Sequence, residues 1–323
     1  MFGEHKDCLY IKTLKYNNIH LKTIPMLIDS KLVDIFFYAD EFCKDFSKTL
    51  AGAQLRSDNS KKSRNKPCKL SDSEIITTLI AFHLGGYRNL KHFYTQYVQV
   101  HLTNEFPKTV SYNRFVELQQ KALLPMVIFL KMMRLGSCTG ISIVDATTLR
   151  VCNNKRIFNH KVFDGIAQRG KSTMGYFFGF KLHLVINDKG EILNFVITPG
   201  NVDDREPLKN SDFLKEVFGK LFADKGYIGQ KLFEQLFIDG IQLITGLKRN
   251  MKNSLMSLND KILLSKRSVI ETINDKLKNI CQIEHSRHRS FGNFLTNLIS
   301  GLLAYSFLPK KPSIKYDVES TYG

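Results

Sequence analysis

Three runs decide the fold: Ile141–Cys152 (ISIVDATTLRVC), Gly179–Asp188 (GFKLHLVIND) and Glu191–Thr198 (EILNFVIT). Each is dense in β-branched and aromatic residues, which suit a pleated, half-buried surface. Asp188-Lys189-Gly190 separates the second run from the third and predicts a hairpin. Downstream the texture alternates. A helix is expected over Glu206–Phe218, a strand over Gly219–Asp224, a helix over Gly229–Ile238 and a strand over Ile241–Gly246. Two further helices are expected near Lys266–Cys281 and Phe291–Leu308. The order β-β-β-α-β-α-β-α is a three-stranded meander followed by α/β alternation, hence an α/β domain with a mixed sheet flanked by helices.

The first 138 residues read as all-helical. Ile24–Phe46 carries an apolar set at helical spacing, and Ser71 with Glu74 forms a capping box ahead of Ile75, Ile76, Leu79 and Ile80. Gly85-Gly86 ends that helix. A short helix follows over Asn89–Tyr97, and another, N-capped by Ser111, runs towards Arg134 with a kink expected at Pro125. Tyr112, Asn113 and Arg114 at this helix start are compatible with a helix-turn-helix reader and equally with a plain helical subdomain. Between the first two helices, residues 56–69 hold six Lys or Arg against Asp58 and almost no apolar side chain. That is the composition of a solvated loop and also of an arm that touches phosphates. The resulting division is a helical region over 1–138 with the basic loop at 56–69, an α/β domain over 139–310 and a tail over 311–323.

Composition narrows the function. The 323 residues hold 47 Lys+Arg and 30 Asp+Glu, a net charge of +17. The apolar share of 43% and charged share of 24% are those of a folded protein. They exclude a disordered chain, a collagen and a coiled-coil rod. The charge makes a polyanion the default partner. Membrane insertion is not expected, because the longest apolar stretches, Leu123–Met133 and Leu295–Leu308, are too short to span. The start Met1-Phe2-Gly3-Glu4-His5-Lys6 lacks a signal-peptide layout, and the six cysteines show no paired spacing. A cytoplasmic chain with free thiols is expected.

Three carboxylates fall where this architecture would converge them. Asp145 lies inside the first strand, where a charge is costly unless paired, hydrogen-bonded or metal-bound. Asp224 sits at the carboxyl end of the fourth strand, where sheet proteins place ligands. Glu271 lies on a helix; at 100° per residue Arg267, Glu271 and Lys278 fall within about 40° of one another. Val269, Ile270, Ile273, Leu277 and Ile280 occupy a separate, apolar arc. Each acid also has a plain structural reading. Asp145 can be satisfied by backbone amides, Asp224 can cap the following turn, and Glu271 can pair with Arg267 while Asp275 pairs with Lys278.

The element order is that of the ribonuclease H-like fold, and the chain resembles the DDE transposases of bacterial insertion sequences, most closely the insertion-sequence family numbered nine-eighty-two. The strings that carry the resemblance are Ile143-Val144-Asp145-Ala146-Thr147, Gly179-Phe180-Lys181-Leu182-His183, Thr198-Pro199-Gly200-Asn201-Val202-Asp203-Asp204-Arg205 and Ala223-Asp224-Lys225-Gly226-Tyr227. Related transposases end on Tyr-x2-Arg-x3-Glu-x6-Lys, which Arg267, Glu271 and Lys278 match; Leu264 stands at the Tyr position, where relatives contact the DNA end. The resemblance implies catalytic, metal-holding carboxylates at Asp145, Asp224 and Glu271. It implies two Mg²⁺ ions, with Mn²⁺ as a substitute, cleavage at the element's inverted repeats, and transfer of the 3′-OH strand into target DNA. It also implies a homodimer that pairs two ends, acting at the bacterial nucleoid.

DNA contacts are expected from Arg267 and Lys278, from Lys248 and Arg249, from Arg287 and Arg289, and from Arg114 in the helical region. Lys248–Arg289 carries ten Lys or Arg against four acids. Lys155, Arg156, Lys161, Arg169 and Lys171 form another basic stretch between the first two strands. Asp203-Asp204 reads as a helix cap or as auxiliary acids, and His183 as a satisfied sheet histidine. A structure-selective nuclease of the same fold, or an inactive DNA-binding derivative of a transposase, are the alternative readings.

Overall fold

A computed structural model describes residues 31–49, 68–246, 256–284 and 288–315. The described chain divides into two compact units. No helix among the described residues is long and apolar enough to cross a membrane. Cys43, Cys68, Cys138, Cys152 and Cys281 are free thiols.

The first unit is helical and takes in the chain up to Phe129 together with Ile280–Gln282 and Ile299–Phe307. Helix α1 covers 31–49. Helix α2 (Asp72–Leu84) starts at Ser71, whose hydroxyl accepts from the Glu74 N–H while the Glu74 side chain accepts from the Ser71 N–H. The expected box is therefore formed, and Gly86 leaves the helix at φ +63°. Helix α3 runs from Asn89, its N-cap, through 90–101 with a π-helical middle at Phe93–Val98. Helix α4 (Tyr112–Lys121) is capped by Ser111, and α5 (Leu123–Phe129) follows after a break at Ala122. The helix is interrupted at Ala122, three residues before Pro125, and Pro125 is the third residue of α5, inside the first turn where a missing N–H costs little. Buried His83 stands between the Ser300 hydroxyl and the Cys281 carbonyl, so its polar atoms are held within this unit.

The second unit is the α/β part. Strand β1 (Ile141–Cys152) occupies the expected span. Strands β2 (Gln168–Ser172), β3 (Gly175–Asn187) and β4 (Ile192–Pro199) follow. Strand β3 pairs antiparallel with β1 along one edge. Its other edge is shared end to end by β2, against Gly175–Gly179, and β4, against Phe180–Ile186. Strand β2 had no counterpart in the sequence reading. Its residues, Gln-Arg-Gly-Lys-Ser, show no apolar alternation, and pairing with the long β3 alone makes it a strand.

The segment after β4 corrects a second expectation. In place of one helix over 206–218 there are a 3₁₀ turn at Pro207–Lys209 and a single-turn helix α6 (Ser211–Leu214). Strand β5 (Gly219–Ala223), helix α7 (Gln230–Ile238) and strand β6 (Ile241–Thr245) complete the sheet. The strand order is β2-β3-β1-β5-β6 with β4 beside β3, and β1, β5 and β6 run parallel. With β2 set aside, this mixed sheet is compatible with a ribonuclease H-like domain.

The last helices also differ from expectation. The stretch expected as one helix is α8 (Leu258–Lys266), a break at Arg267–Ser268, α9 (Val269–Asp275) and a π turn at Lys276–Ile280. Helix α10 spans Phe291–Ser306.

One sheet face is filled by Val144, Val185, Leu221, Ala223 and Leu243 packed with Leu208, Phe213, Leu214, Leu232 and Leu236. By strand alternation Asp145 and Phe222 face the other side, where α9 lies against β1. On that side Phe163, Phe180, Phe291 and Phe294 interlock with ring centroids 5.1–6.4 Å apart. Of the expected tail, residues 311–315 pack on the β3–β4 hairpin: the Ile314 N–H donates to the Asp188 carbonyl at 2.8 Å.

The β1–β5 register depends on one glycine. Gly219 opens β5 at φ +77°, and a Cβ there would lie 2.5 Å from the Gly140 carbonyl oxygen. Gly219→Ala is expected to cost about 2 kcal/mol or more, from left-handed backbone strain and the clash together. Chemical denaturation of wild type and variant measures it, and an unchanged midpoint would contradict the register argument.

Candidate active site

The site is assembled by strand pairing. Strands β1 and β5 are parallel neighbours with Ile143 opposite Phe222. Asp145 stands two residues further along β1 and Asp224 two past Phe222, just beyond the end of β5, so continuing the register brings both towards one level and one face of the sheet. Opposite Asp145 on β3 is Leu184, so the carboxyl is flanked by apolar chain. Burial pushes the Asp145 carboxyl up to about 6, reinforced by Glu271 and Asp204; the Ala146 amide and Arg267 pull the other way. Glu271, the third acid, lies on α9 and contributes to raising the Asp145 carboxyl.

The neighbouring side chains are specific. Asn274, buried on α9, donates from Nδ2 to Asp145 Oδ2 at 3.1 Å. Its Oδ1 is buried with no hydrogen-bond partner. Asp224 makes no cap hydrogen bond to the turn that follows it. Instead its Oδ1 accepts from Arg267 Nη2 at 3.1 Å, which removes both the capping reading of Asp224 and the Arg267–Glu271 pairing. The Tyr227 hydroxyl is buried without a partner, and burial beside Asp145 and Asp204 holds its proton far above the usual phenol range.

Several expected positions are placed differently. Arg267 caps α8, Glu271 lies on α9 and Lys278 in the π turn, so a single 100° spiral does not relate them. Lys278 pairs with Glu284 at 3.5 Å rather than with Asp275, and Glu284 also accepts from the Arg150 N–H at 2.9 Å. Asp203 is bound by Arg205 through its guanidinium and backbone N–H, and Asp204 by Lys181 at 2.8 Å, so neither caps a regular helix. His183 is a sheet histidine but only half satisfied: Nε2 meets the Thr198 hydroxyl at 2.8 Å, Nδ1 is buried without a hydrogen-bond partner, and burial brings the ring down to about 4. Arg289 is exposed. Arg114, exposed on α4, pairs with Glu117. Lys248, Arg249 and Arg287 lie outside the described residues, as do residues 56–67 of the basic loop.

Sequence reasoning missed Asn274 and the Lys181–Asp204 pair. Asn274 was within reach: a polar residue three positions after Glu271 shares its side of a helix. The Lys181–Asp204 pair joins two segments 23 residues apart, and only the fold brings them together.

The donor set consists of carboxylate oxygens, which suit a hard divalent cation such as Mg²⁺. Among the described residues, no three His, Cys, Asp or Glu side chains stand close enough together to hold an ion. Asn274 and Arg267 take up oxygens of Asp145 and Asp224 that a cation would need. The chemistry of the donors fits, and the side chains rest in an open arrangement.

Residues 135–291 match the family model described as a transposase DDE domain. The match spans β1 to the start of α10, just under half of the chain, and includes all three acids. It supports a transposase. No curated protein matches the chain.

Asp145 gives a pH test. Its carboxyl titrates near 6 in the folded chain and near 3.8 when unfolded. Its contribution to stability is therefore present below pH 3.8 and lost as pH rises through 6. In EDTA, Asp145→Asn is expected to exceed wild type by on the order of 2–3 kcal/mol at pH 8, with the gain vanishing near pH 4. A pH-independent difference in melting temperature would refute the buried-carboxylate assignment.

Proposed function

We propose that the chain is a DNA transposase of an insertion sequence, of the family numbered nine-eighty-two, that cleaves the ends of its element and joins the freed 3′-OH strand to target DNA. The reading is supported by the parallel pairing of β1 with β5, with Asp145 two residues beyond the last pair on β1 and Asp224 just past the end of β5, and by α9, which carries Glu271, packed against β1. The matched transposase DDE domain supports it independently. Asp145, Asp224 and Glu271 would hold divalent cations, Mg²⁺ first and Mn²⁺ as a substitute, which supply charge neutralisation at the attacking and leaving oxygens of a phosphodiester.

The chain's own residues do the rest. Asn274 fixes the orientation of the Asp145 carboxyl, and burial favours that group's protonated form, which a bound cation would oppose. Arg267 neutralises Asp224 in the open arrangement and is free to turn to a phosphate once that carboxylate is otherwise engaged. Lys278 and Arg289, with Lys248, Arg249 and Arg287, extend the cationic surface along the DNA, and Arg114 serves the helical region that binds the end. Pairing two ends calls for a homodimer, working on DNA at the nucleoid of a bacterial cytoplasm.

The test uses DNA carrying the inverted repeats that flank the coding region. Asp145→Ala, Asp224→Ala and Glu271→Ala are each expected to abolish strand cleavage in Mg²⁺, a loss of a thousandfold or more, on the order of 4 kcal/mol in the barrier. End binding in Ca²⁺ is expected to survive. Cleavage retained by any one variant removes that residue from the site. An oligonucleotide with a pre-formed 3′-OH, incubated with plasmid and Mg²⁺, should be joined to it; cleavage without joining would make the protein a nuclease of the same fold.

A further inference from the structure

A second site lies beside the acids. The β2–β3 hairpin and the 3₁₀ turn at Asn154–Asn159 enclose, with the loop at Gly200–Asp203, a cavity of about 770 Å³. That is the size of a small-ligand site. Two glycines shape its floor. A Cβ on Gly170 would lie 2.1 Å from the Gly200 carbonyl oxygen and 2.7 Å from the Phe177 ring, and one on Gly200 would lie 2.7 Å from the Gln168 carbonyl oxygen.

The walls combine cations with rings. Arg169 and Lys171 are two residues apart on β2 and so share a face. The Lys171 ammonium lies 5.8 Å from the centroid of Tyr176, its cross-strand partner, and the Arg169 guanidinium 5.3 Å from the centroid of Phe158. Neither cation has an acidic partner among the described residues. Tyr176 is 68% exposed and Phe158 89%, large apolar surfaces for side chains that no core requires. The acids nearby are spoken for: Arg205 binds Asp203, and Lys181 binds Asp204. Lys181, which lines the cavity and holds Asp204, pairs on β3 with Thr148 of β1, three residues along that strand from Asp145.

Cations track a phosphate backbone, and exposed aromatic faces take unstacked bases irrespective of sequence. A duplex offers phosphates but keeps its base faces covered. We propose that this cavity receives an unpaired nucleotide of the DNA strand lying against the acids, its phosphate held by Arg169 and Lys171 and its base stacked on Tyr176, with the exposed Phe158 ring beside Arg169 outside the lining. The inference rests on the transposase reading only for the identity of the strand as DNA.

The experiment measures binding of the full chain in EDTA by fluorescence anisotropy. The probes are a labelled single-stranded oligonucleotide, a blunt duplex of the same sequence and that duplex with a short 3′ overhang. The double variant Phe158→Ala, Tyr176→Ala is expected to bind the single strand and the overhang roughly ten- to a hundredfold more weakly, and the blunt duplex within about twofold of wild type. Phe158→Tyr with Tyr176→Phe should restore binding, since stacking needs a ring and not a hydroxyl. Both truncated residues are exposed, so the variants should keep the wild-type melting temperature. The readout is binding in EDTA, where no cleavage occurs, so a failed cleavage reading in Mg²⁺ leaves this result intact. Equal losses on single strand and duplex would reduce the cavity to a general phosphate surface. No loss on any probe would overturn the proposal, as would displacement of the oligonucleotide by an acidic peptide of equal charge.

Discussion

A carboxylate in the middle of an apolar strand is the constraint on which the rest depends. Asp145 is surrounded by chain that should exclude charge, and leaving it unpaired there would cost several kcal/mol. The neighbours compensate in part. The Ala146 amide and the Asn274 side chain hydrogen-bond it, Arg267 lends positive potential, and its titration still stays near 6. A group held this way sacrifices stability for chemical readiness, the usual signature of a functional carboxylate.

The sheet makes that sacrifice useful. Parallel pairing of β1 with β5 levels Asp145 with Asp224, and Gly219 at positive φ, tight against Gly140, sets where that pairing begins. The opposite face carries the hydrophobic core that fixes both strands. The acids therefore sit on a rigid platform. Glu271 and its flanking cations sit on shorter, interrupted helices, where Arg267 and Lys278 are engaged with Asp224 and Glu284. A guanidinium engages Asp224 and a side-chain amide steadies Asp145.

The positive charge is distributed to match. The +17 of the chain is no uniform coat. Part of it stands on the β2–β3 hairpin beside exposed rings, and part around the last acid. The hairpin is also where the sequence reading was least informative, because polar strands have no periodic apolar signal. What makes β2 a strand is β3, thirteen residues long, whose outer edge β4 covers only in part. The same limit applies to the Arg267, Glu271 and Lys278 face. Equal angular steps describe an unbroken α-helix, and a cap at Arg267 with a π turn after Asp275 breaks that assumption twice.

The amino-acid sequence by itself determined the local events: the span of β1, the capping box of Ser71 and Glu74, the Ser111 cap, the turn before β4, and the presence of an acid at Asp145 inside an apolar strand. These are decided within a few residues by backbone hydrogen bonding, side-chain shape and the cost of burying charge. Only the tertiary structure decided the level of the two aspartates, the hold of Asn274 on Asp145, the pairing of Lys181 with Asp204, and the cavity between the hairpin and Gly200. Each of those joins residues from separate elements, and contact between distant segments follows from sheet register and packing, which no local pattern encodes.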